Sequence, residues 1–355
     1  MKFNLGLYTS LERILKKHTD VKNFIRDCVE LNVEKLFLLT KNTESRVLYD
    51  SEYCEKAFNG RDIYEEVVKA ARDVGMEVHA WFCLYPESVE HPSKYLREHP
   101  EAVLVNKYGK TNWEEPTWSY IKREYSKLWV CPSHEGYREY LAKMMREVLE
   151  KYDVNGIHLD YVRYPEALEG RYYCYCPRCL HKYKEEYGYS VYANDVIERR
   201  YFISILCENV NESVEYFSDV AKVYGAQISA YVFTDYVTAI ESCYQDWPYF
   251  SRYLDFIVPT LYEVSPDYAL FLTKKAINAV MHCGCKVMPA VMASPSTRRS
   301  AKGGKRWSKD RSTKYIAECV NKCKEAGAGG AVLFLYDTTP VKTLGELKET
   351  LTPGP

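Results

Sequence analysis

The sequence predicts a single (β/α)8 barrel over residues 1–355, and three observations support this fold class. Short apolar runs with strand character recur along the chain, amphipathic helical patterns lie between them, and several helices end in a glycine turn just before the next strand. A doubly wound open sheet is the alternative, but it would rarely need eight such regular units. The predicted strands span 3–8, 34–40, 77–84, 156–160, 227–233, 255–262, 286–292 and 331–337.

The elements follow from local patterns in chain order. Glycine turns precede the third, fourth, fifth and eighth strands, in "ARDVGMEVHAW", "KYDVNGIHLD", "KVYGAQISAY" and "CKEAGAGGAVLF". The clearest helix covers 133–153, where apolar residues recur at helical spacing. Two connections, 85–132 and 161–192, are long and follow the third and fourth strands. We expect them on the functional face, because the loops after barrel strands form that face.

Composition limits the classes of partner. The formal charge is −1 at 46% hydrophobic residues, which gives no sign of nucleic acid or an anionic membrane as partner. No apolar run reaches membrane-spanning length, and the N-terminus lacks the features of a signal peptide. Thirteen scattered cysteines indicate reduced thiols and a cytoplasmic location. The two glutamines, Gln227 and Gln245, against many Lys and Glu favour a thermophilic source.

The fourth predicted strand, "GIHLD", ends on a carboxylate. By alternation Ile157 and Leu159 face the surrounding helices, so His158 and Asp160 point into the barrel with Asp160 at its mouth. An ionised carboxylate there is costly unless it has partners or a task. Arg163 is a candidate ion-pair partner that would lower its pKa. The alternatives are a structural Asp–Arg pair and a catalytic carboxylate at a strand end.

The third predicted strand places two ring side chains on one face. His79 and Trp81 are two positions apart, with Ala80 between them, and therefore both point inward. Trp81 lies nearer the mouth, where an indole would stack on a sugar ring. His79 is either a substrate contact or a buried core histidine, and the core role is the commoner fate.

Two further stretches carry chemical character. Cys174, Cys176 and Cys179 form a C-x-C-x-x-C pattern after the fourth strand, which suits tetrahedral zinc, although three free thiols are the alternative. The loop 294–314 holds eight basic residues against one acid and contains Trp307. Such a loop is typical of an anion-binding lid for a carboxylate, sulfate or phosphate group, or else of a solvated flexible loop.

Several segments resemble the glycosyl-hydrolase-like family 10, a group of barrel proteins regarded as glycoside hydrolases. They are "GMEVHAWF" 75–82, "HPEAVLVNKYGK" 99–110, "LWVCPSHEGYREYL" 128–141, "EKYDVNGIHLDYVRYP" 150–165 and "GAGGAVLFLYD" 327–337. The resemblance covers most of the chain and is strongest from 75 to 165. It implies a carbohydrate substrate and a catalytic role for Asp160.

Glycoside hydrolysis usually needs two carboxylates, one as acid and one as nucleophile or base. With Asp160 as nucleophile or base, the first candidate for the acid is Glu263, beside Tyr262, which would keep its site partly dry and raise its pKa. Asp235 is the second candidate and Asp337 the third. Each is alternatively a helix N-cap or a turn residue.

The cysteine stretch resembles the zinc loop of family 42 β-galactosidases, which recruits one distant cysteine. That resemblance implies a structural zinc site with Cys131 as fourth ligand, and Cys83 and His181 remain alternatives. The catalytic Asn-Glu pair of that family is absent from "HLDYV", so only the zinc loop carries over. Two other functions stay open, namely a non-catalytic saccharide-binding barrel and a metal-dependent hydrolase. Zinc with an open coordination position would distinguish the second.

Overall fold

A computed structural model gives the architecture of the chain. It describes residues 3–11, 14, 20–57, 60–119, 124–166, 173–188, 190, 196–262, 264–293, 313–336, 339 and 341–351.

A closed parallel barrel forms the centre of the molecule, which confirms the predicted fold class. Each strand pairs in parallel with the next, and the last strand pairs with the first through Asn4 and Gly330, which closes the ring. The strands are β1 Asn4–Thr9, β2 Val33–Lys41, β3 Glu77–Cys83, β4 Gly156–Asp160, β5 Gln227–Val232, β6 Phe256–Leu261, β7 in two parts Lys286–Val287 and Ala290–Met292, and β8 Gly330–Phe334.

Helices cover the outside of the barrel. Among the described residues they are α1 Val21–Glu30, α2 Ile63–Asp73, α3 Lys94–Glu98, α4 Glu135–Lys151, α5 Pro177–Tyr187, α6 Val196–Val223, α7 Tyr236–Cys243, α8 Trp247–Phe250, α9 Pro266–Val280, α10 Thr313–Glu325 and α11 Val341–Leu351. The helix predicted at 133–153 corresponds to α4. None of these helices combines the length and the apolar character that a bilayer crossing requires.

Strand boundaries lie within a few residues of the prediction, except at β7. This strand was predicted as one run over 286–292, but it divides at Met288 and Pro289. Pro289 has no N–H to donate to a neighbouring strand, and its carbonyl accepts instead from the backbone of Val332 at 2.9 Å. The eighth strand ends at Phe334, three residues earlier than predicted.

The long connection after β3 folds into a small antiparallel sheet. Its strands are Pro86–Ser88, Thr117–Ser119 and Glu124–Trp129, with the last in the centre. This outer sheet packs its buried face beside the barrel mouth, because Leu84 N–H, at its start, bonds to the backbone carbonyl of Asp160 at 3.0 Å. The connection therefore adds a wall to the functional face.

A separate aromatic cluster fills the barrel interior. Its buried members include Tyr8, Phe37, Trp81 and Phe256, which are distinct from the larger core between strands and helices. Gly156 makes room at the base, since a Cβ there would lie 2.6 Å from the carbonyl of Gln227 and 2.7 Å from Nδ1 of His79. The glycine that opens β4 is thus required by a close approach inside the barrel.

Candidate functional site

A carboxyl group lies at the mouth end of β4. Asp160 is the last residue of this strand, and 7% of it is exposed. Its Oδ2 accepts a hydrogen bond from Nε1 of Trp81 at 2.9 Å, and its Oδ1 accepts one from the backbone N–H of Tyr161 at 2.7 Å. Sγ of Cys83 lies 3.8 Å from the same Oδ2. Both carboxyl oxygens are therefore held in place by donors.

The environment of Asp160 shifts its proton affinity. Burial raises the pKa of this carboxyl to about 6, because removal of water disfavours the charged form. The hydrogen bonds from Trp81 and Tyr161, the charge of Arg163 and the Cys83 thiol each lower this pKa, but they do not offset the burial. A carboxyl that titrates near neutrality is suited to acid, base or nucleophilic work.

The residue after Asp160 has a strained backbone. Tyr161 adopts φ +54°, in the left-handed region that costs a tyrosine about 1–2 kcal/mol. This conformation accompanies the short bond from its N–H to the preceding carboxyl. Strain of this kind is found where the surrounding structure fixes a geometry for function.

A buried hydrogen-bonded chain lies beneath the mouth. The Tyr8 hydroxyl is 2.6 Å from Nε2 of His158, and Nδ1 of His158 is 2.8 Å from Oγ of Ser229. His158 has no exposed surface, and burial lowers its pKa well below the usual range, so its ring is neutral. The sequence also makes His158 a candidate substrate contact; in the structure its ring lies behind the equally buried Tyr8, which packs edge-on against Trp81 at 4.9 Å.

His79 lies deeper in the barrel than Trp81. It is fully buried, it stacks on Phe37 at 5.3 Å, and its Nε2 is 3.5 Å from Oε2 of Glu77. Burial also lowers the pKa of the imidazole. These surroundings favour the core-histidine interpretation that the sequence left open.

Aromatic rings surround the guanidinium of Arg163. Its Cζ lies 5.2 Å from the ring centre of Trp129, 5.1 Å from that of Tyr161 and 5.0 Å from that of Phe233. Nη1 donates to the carbonyl of Tyr164 at 2.9 Å. Within the described part of the chain its ion-pair partner is Glu166, at 4.0 Å. The sequence suggested a direct ion pair between Arg163 and Asp160. In the structure the Arg163 charge instead acts on Asp160 over a longer distance, by lowering its pKa.

Further aromatic side chains line the mouth. Tyr262 is partly buried, and its ring lies 4.9 Å from Phe334 and 6.2 Å from Tyr231. The Tyr262 hydroxyl is buried and has no hydrogen-bond partner among the described residues. Trp81 is 8% exposed at the edge of this group. Rings at a barrel mouth offer faces on which sugar C–H groups pack.

One of the candidate second carboxylates, Asp235, serves as a helix cap. Asp235 caps α7, accepting from the N–H of Thr238 at 3.0 Å, and it pairs with Lys275. This is the N-cap alternative that the sequence allowed. Glu263, Asp337 and Trp307 lie outside the described residues, as does most of the basic loop.

Four cysteines meet beside the mouth. The Sγ atoms of Cys131, Cys174, Cys176 and Cys179 all lie within 4.8 Å of one another and all four residues are buried. Cys131 Sγ is 3.6 Å from Cys179 Sγ and 3.8 Å from Cys176 Sγ. Tetrahedral zinc with Zn–S bonds of about 2.3 Å would place its sulfurs about 3.8 Å apart. The four-cysteine cluster therefore fits a tetrahedral metal ion.

The alternative fourth ligands lie elsewhere. Cys83 faces Asp160, and His181 is exposed with its Nε2 3.1 Å from Glu185. The sequence pattern identified three of the four sulfurs, and the fold brings in Cys131 from the end of the outer sheet.

Sequence reasoning missed the donors around the cluster. The backbone N–H of Val105 bonds to Cys174 Sγ at 3.4 Å, and Nδ2 of Asn209 bonds to Cys179 Sγ at 3.5 Å. The Tyr164 hydroxyl lies 3.5 Å from Cys131 Sγ. Such donors commonly orient and stabilise metal-bound thiolates. "VRYP" contained Tyr164, but nothing local indicated a contact with the distant Cys131.

Sequence reasoning also missed Tyr8. It is fully buried and points into the barrel toward His158. The alternation of "FNLGLY" around Tyr8 was a usable signal, because inward-facing residues near the carboxyl end of a barrel strand lie close to the mouth. Ser229 in "QISAYV" could have been found in the same way.

A closed (β/α)8 barrel with a buried carboxyl at the carboxyl end of a strand has the architecture of barrel enzymes. The chain belongs to the family described as glycosyl hydrolase-like 10, whose model matches residues 7–279. This confirms the family resemblance seen in the sequence.

Relatives of known name share part of the chain. The glycosyl hydrolase YngK of Bacillus subtilis (strain 168) is 23% identical over 158 residues, which cover 44% of this chain and 28% of that protein. An S-layer-related protein of Niallia circulans is 26% identical over 170 residues, covering 41% of this chain and 10% of that protein. The matched part thus represents less than a third of either relative.

The fold is shared with solved structures. The α-L-fucosidase isoenzyme 2 of Paenibacillus thiaminolyticus superposes with a TM-score of 0.65 at 15% identity, covering 99% of this chain and 49% of that chain. At this identity the likeness establishes the barrel fold, and the activity has to be inferred from the residues of the site.

Proposed function

We propose that the protein is a glycoside hydrolase that uses Asp160 as its catalytic nucleophile or base. The observation that carries this proposal is the buried Asp160 carboxyl, held by Trp81 and Tyr161 at the barrel mouth with a pKa near 6. Hydrogen bonds to both oxygens favour the ionised carboxylate over the neutral acid. Membership in the glycosyl hydrolase-like 10 family supports a carbohydrate as the substrate class.

A second carboxylate completes the proposed mechanism. Glu263 is the first candidate for the general acid, followed by Asp235 and then Asp337. Asp235 is engaged as a helix cap and by Lys275, and hydrogen bonds and the lysine charge lower its pKa overall, against the effect of burial. A lowered pKa is unfavourable for a group that must donate a proton. This supports Glu263 over Asp235.

We further propose that the substrate is anionic. Arg163 brings a fixed positive charge close enough to the mouth to lower the pKa of Asp160. The eight basic residues of 294–314, which include Arg298 and Arg299, follow β7 in the sequence, and the functional face of a barrel is built from the segments that follow its strands. Trp307 in that loop would supply an additional stacking surface.

The four-cysteine cluster is proposed to hold structural zinc. With four sulfurs as ligands the coordination sphere would be closed, and bound zinc would supply a crosslink between the outer sheet and the loop after β4. A closed site offers no open position for a metal-bound water. This disfavours the metal-dependent hydrolase as an alternative function.

The proposed compartment is a reducing, cytosolic one. The thirteen cysteines, all within the described residues, form no disulfide bond with one another, which supports this location. The low glutamine content continues to favour a thermophilic source.

The test of the proposed function measures reducing-sugar release from neutral and acidic oligosaccharides by wild type and Asp160→Asn. We expect turnover on an acidic member of the panel and its loss in the variant by at least about 10³-fold. Asp219→Asn is the matched control, since this exposed aspartate on α6 pairs with Lys222 far from the mouth. Turnover that survives Asp160→Asn would refute the assignment. Saturable binding with no turnover would instead establish the saccharide-binding barrel.

The acid is then identified with activated substrates. Aryl glycosides with good leaving groups need little protonation, so a variant lacking the acid keeps its activity on them but loses activity on natural linkages. We expect this pattern for Glu263→Gln and not for Asp235→Asn or Asp337→Asn. The same pattern in either aspartate variant would transfer the role to that residue.

A further inference from the structure

Two short segments connect the four-cysteine cluster to the carboxyl of Asp160. One is Tyr161–Tyr164, which follows β4, and the other is Trp129–Cys131 at the end of the outer sheet. We propose that Tyr164 is a positioning residue through which zinc in the four-cysteine cluster holds the Arg163 guanidinium at the barrel mouth. The proposal deepens the proposed function, on which it rests, by giving the metal a defined effect on the catalytic carboxyl.

Tyr164 is anchored at the cluster end. It is fully buried, and its hydroxyl lies 3.5 Å from Cys131 Sγ and 3.8 Å from Cys179 Sγ. Nδ2 of Asn209 donates to this hydroxyl at 3.2 Å, which orients the hydroxyl hydrogen toward the sulfurs. Its backbone N–H bonds to the carbonyl of Cys243 at 3.1 Å. The side chain has little room to move unless the sulfurs move.

The second segment makes the same connection independently. Cys131 belongs to the cluster, and two residues earlier the Trp129 ring packs on Tyr161 at 5.7 Å. The same indole lies 5.2 Å from the guanidinium of Arg163. A metal that ties Cys131 to the loop cysteines would therefore fix two of the surfaces between which Arg163 lies.

Arg163 transmits this geometry to the carboxyl. Its Nη1 donates to the carbonyl of Tyr164, so its position depends on the backbone that the buried tyrosine anchors. The charge of Arg163 lowers the pKa of Asp160 against the effect of burial. If the segment loosens, the guanidinium moves into solvent and is screened, and the carboxyl loses part of this stabilisation.

Three of the other groups that face Asp160 belong to strands away from the cluster, and a fourth lies on the connecting segment itself. Trp81 and Cys83 lie on β3, and Tyr8 lies on β1. Tyr161 contributes its backbone N–H and, with a pKa raised by burial, remains a neutral phenol. In the described structure Trp81, Cys83 and Tyr8 make no contact with a cysteine of the cluster, so their effects on Asp160 should persist when zinc is removed. The Tyr161 N–H lies on the connecting segment, and its displacement would raise the pKa of Asp160 in the same direction as loss of the Arg163 charge.

The experiment titrates Asp160 directly by carbon-13 NMR of the carboxyl carbon, with the resonance assigned through Asp160→Asn. It compares zinc-loaded protein, protein stripped with EDTA, and zinc-loaded Tyr164→Phe. Zinc content is measured by elemental analysis, and circular dichroism monitors folding. We expect stripping to raise the pKa of Asp160 by about half a unit or more, and Tyr164→Phe to produce a smaller rise in the same direction.

Tyr64→Phe is the matched control. Tyr64 is also fully buried, but its hydroxyl bonds to Thr40 at 2.8 Å and has no contact with the cluster. We expect this variant to lose some stability and leave the titration of Asp160 unchanged. A shift of similar size in Tyr64→Phe would show that the effect reports general destabilisation, and it would overturn the proposal.

The remaining outcomes are also decisive. A folded, stripped protein whose Asp160 titrates as before overturns the coupling. If stripping unfolds the protein, the zinc-loaded Tyr164→Phe variant decides alone. A chain that binds no zinc overturns the proposal together with the zinc site. None of these results needs a substrate, so each is separable from failure of the glycosidase assay.

Discussion

The indole N–H of Trp81 should control the ionisation of Asp160. In Trp81→Phe the ring face is retained, but the donor that lies 2.9 Å from Oδ2 is removed. This hydrogen bond stabilises the carboxylate more than the neutral acid, so its loss must raise the pKa of Asp160 above its value of about 6.

The expected magnitude follows from the geometry. A hydrogen bond to a charged group contributes about 1.5–3 kcal/mol, and about 1.4 kcal/mol corresponds to one pKa unit. Tyr161 N–H and the Cys83 thiol remain and offset part of the loss. We therefore expect a rise of about one unit. At pH 6 the ionised fraction would fall from about one half to about one tenth, and at pH 8 it would change little.

Carbon-13 titration of the carboxyl measures this shift without a substrate, and the acidic limb of kcat/KM should move by the same amount. Trp247→Phe is the matched control, because Trp247 is fully buried and its Nε1 has no partner in the described structure. An unchanged titration in Trp81→Phe would refute the view that the indole stabilises the carboxylate. An equal shift in Trp247→Phe would assign the effect to loss of packing.

Three further predictions follow from the same structure. The pKa of Asp160 is about 6 in the folded protein and near 3.8 in the unfolded chain, so ionisation of this carboxyl destabilises the fold; the penalty is complete above pH 6 and disappears as the pH falls toward 4. In thermal scans Asp160→Asn should therefore raise Tm by a few degrees at pH 7.5 and by less at pH 4.5. Gly156→Ala should lower the free energy of unfolding, measured in urea, by at least about 2 kcal/mol, because an added Cβ would meet close contacts. Gly345→Ala, in α11 with open space around the Cβ position, should raise that free energy by about 0.5–1 kcal/mol. Chelation should remove about one zinc per chain from the four-cysteine cluster and lower Tm, and an unchanged Tm would argue against a structural metal.

The fold was predictable because its signals are local. Strand propensity, alternation of apolar residues and glycine turns are each recognisable within a stretch of a few residues. A (β/α)8 barrel repeats this strand–helix unit eight times along the chain, so the repetition itself indicates the fold. The break in β7 at Pro289 is local as well, but the prediction gave the apolar run priority over the missing N–H. The antiparallel outer sheet after β3 was harder to predict, since its pairing of Pro86–Ser88 with Glu124–Trp129 joins distant segments.

The site was predictable only where one strand carries its residues. Alternation along β4 predicted that Asp160 points into the barrel at its mouth, and the structure places it there. The side-chain partners of Asp160 come from the neighbouring strand β3, which the local sequence around Asp160 does not contain. The sequence therefore suggested the nearby Arg163, whereas the structure has Trp81 and Cys83. Trp81 shows where prediction from one strand ends. Alternation predicted that its side chain points inward, but the contact of its N–H with the Asp160 carboxyl depends on the register between β3 and β4.

The register between β3 and β4 links the packing at the base of the barrel to the position of Asp160 at its mouth. Cys83 pairs with Asp160 and Trp81 with His158 across β3 and β4, while His79 pairs with Gly156 at the base. The bulk of His79 at the base is accommodated by the glycine, which fixes the two strands relative to each other. A slip of one residue would turn Asp160 toward the helices and bring an apolar side chain to the mouth. The packing that makes Gly156 necessary at one end of β4 is therefore also what sets the donors on the carboxyl at the other end.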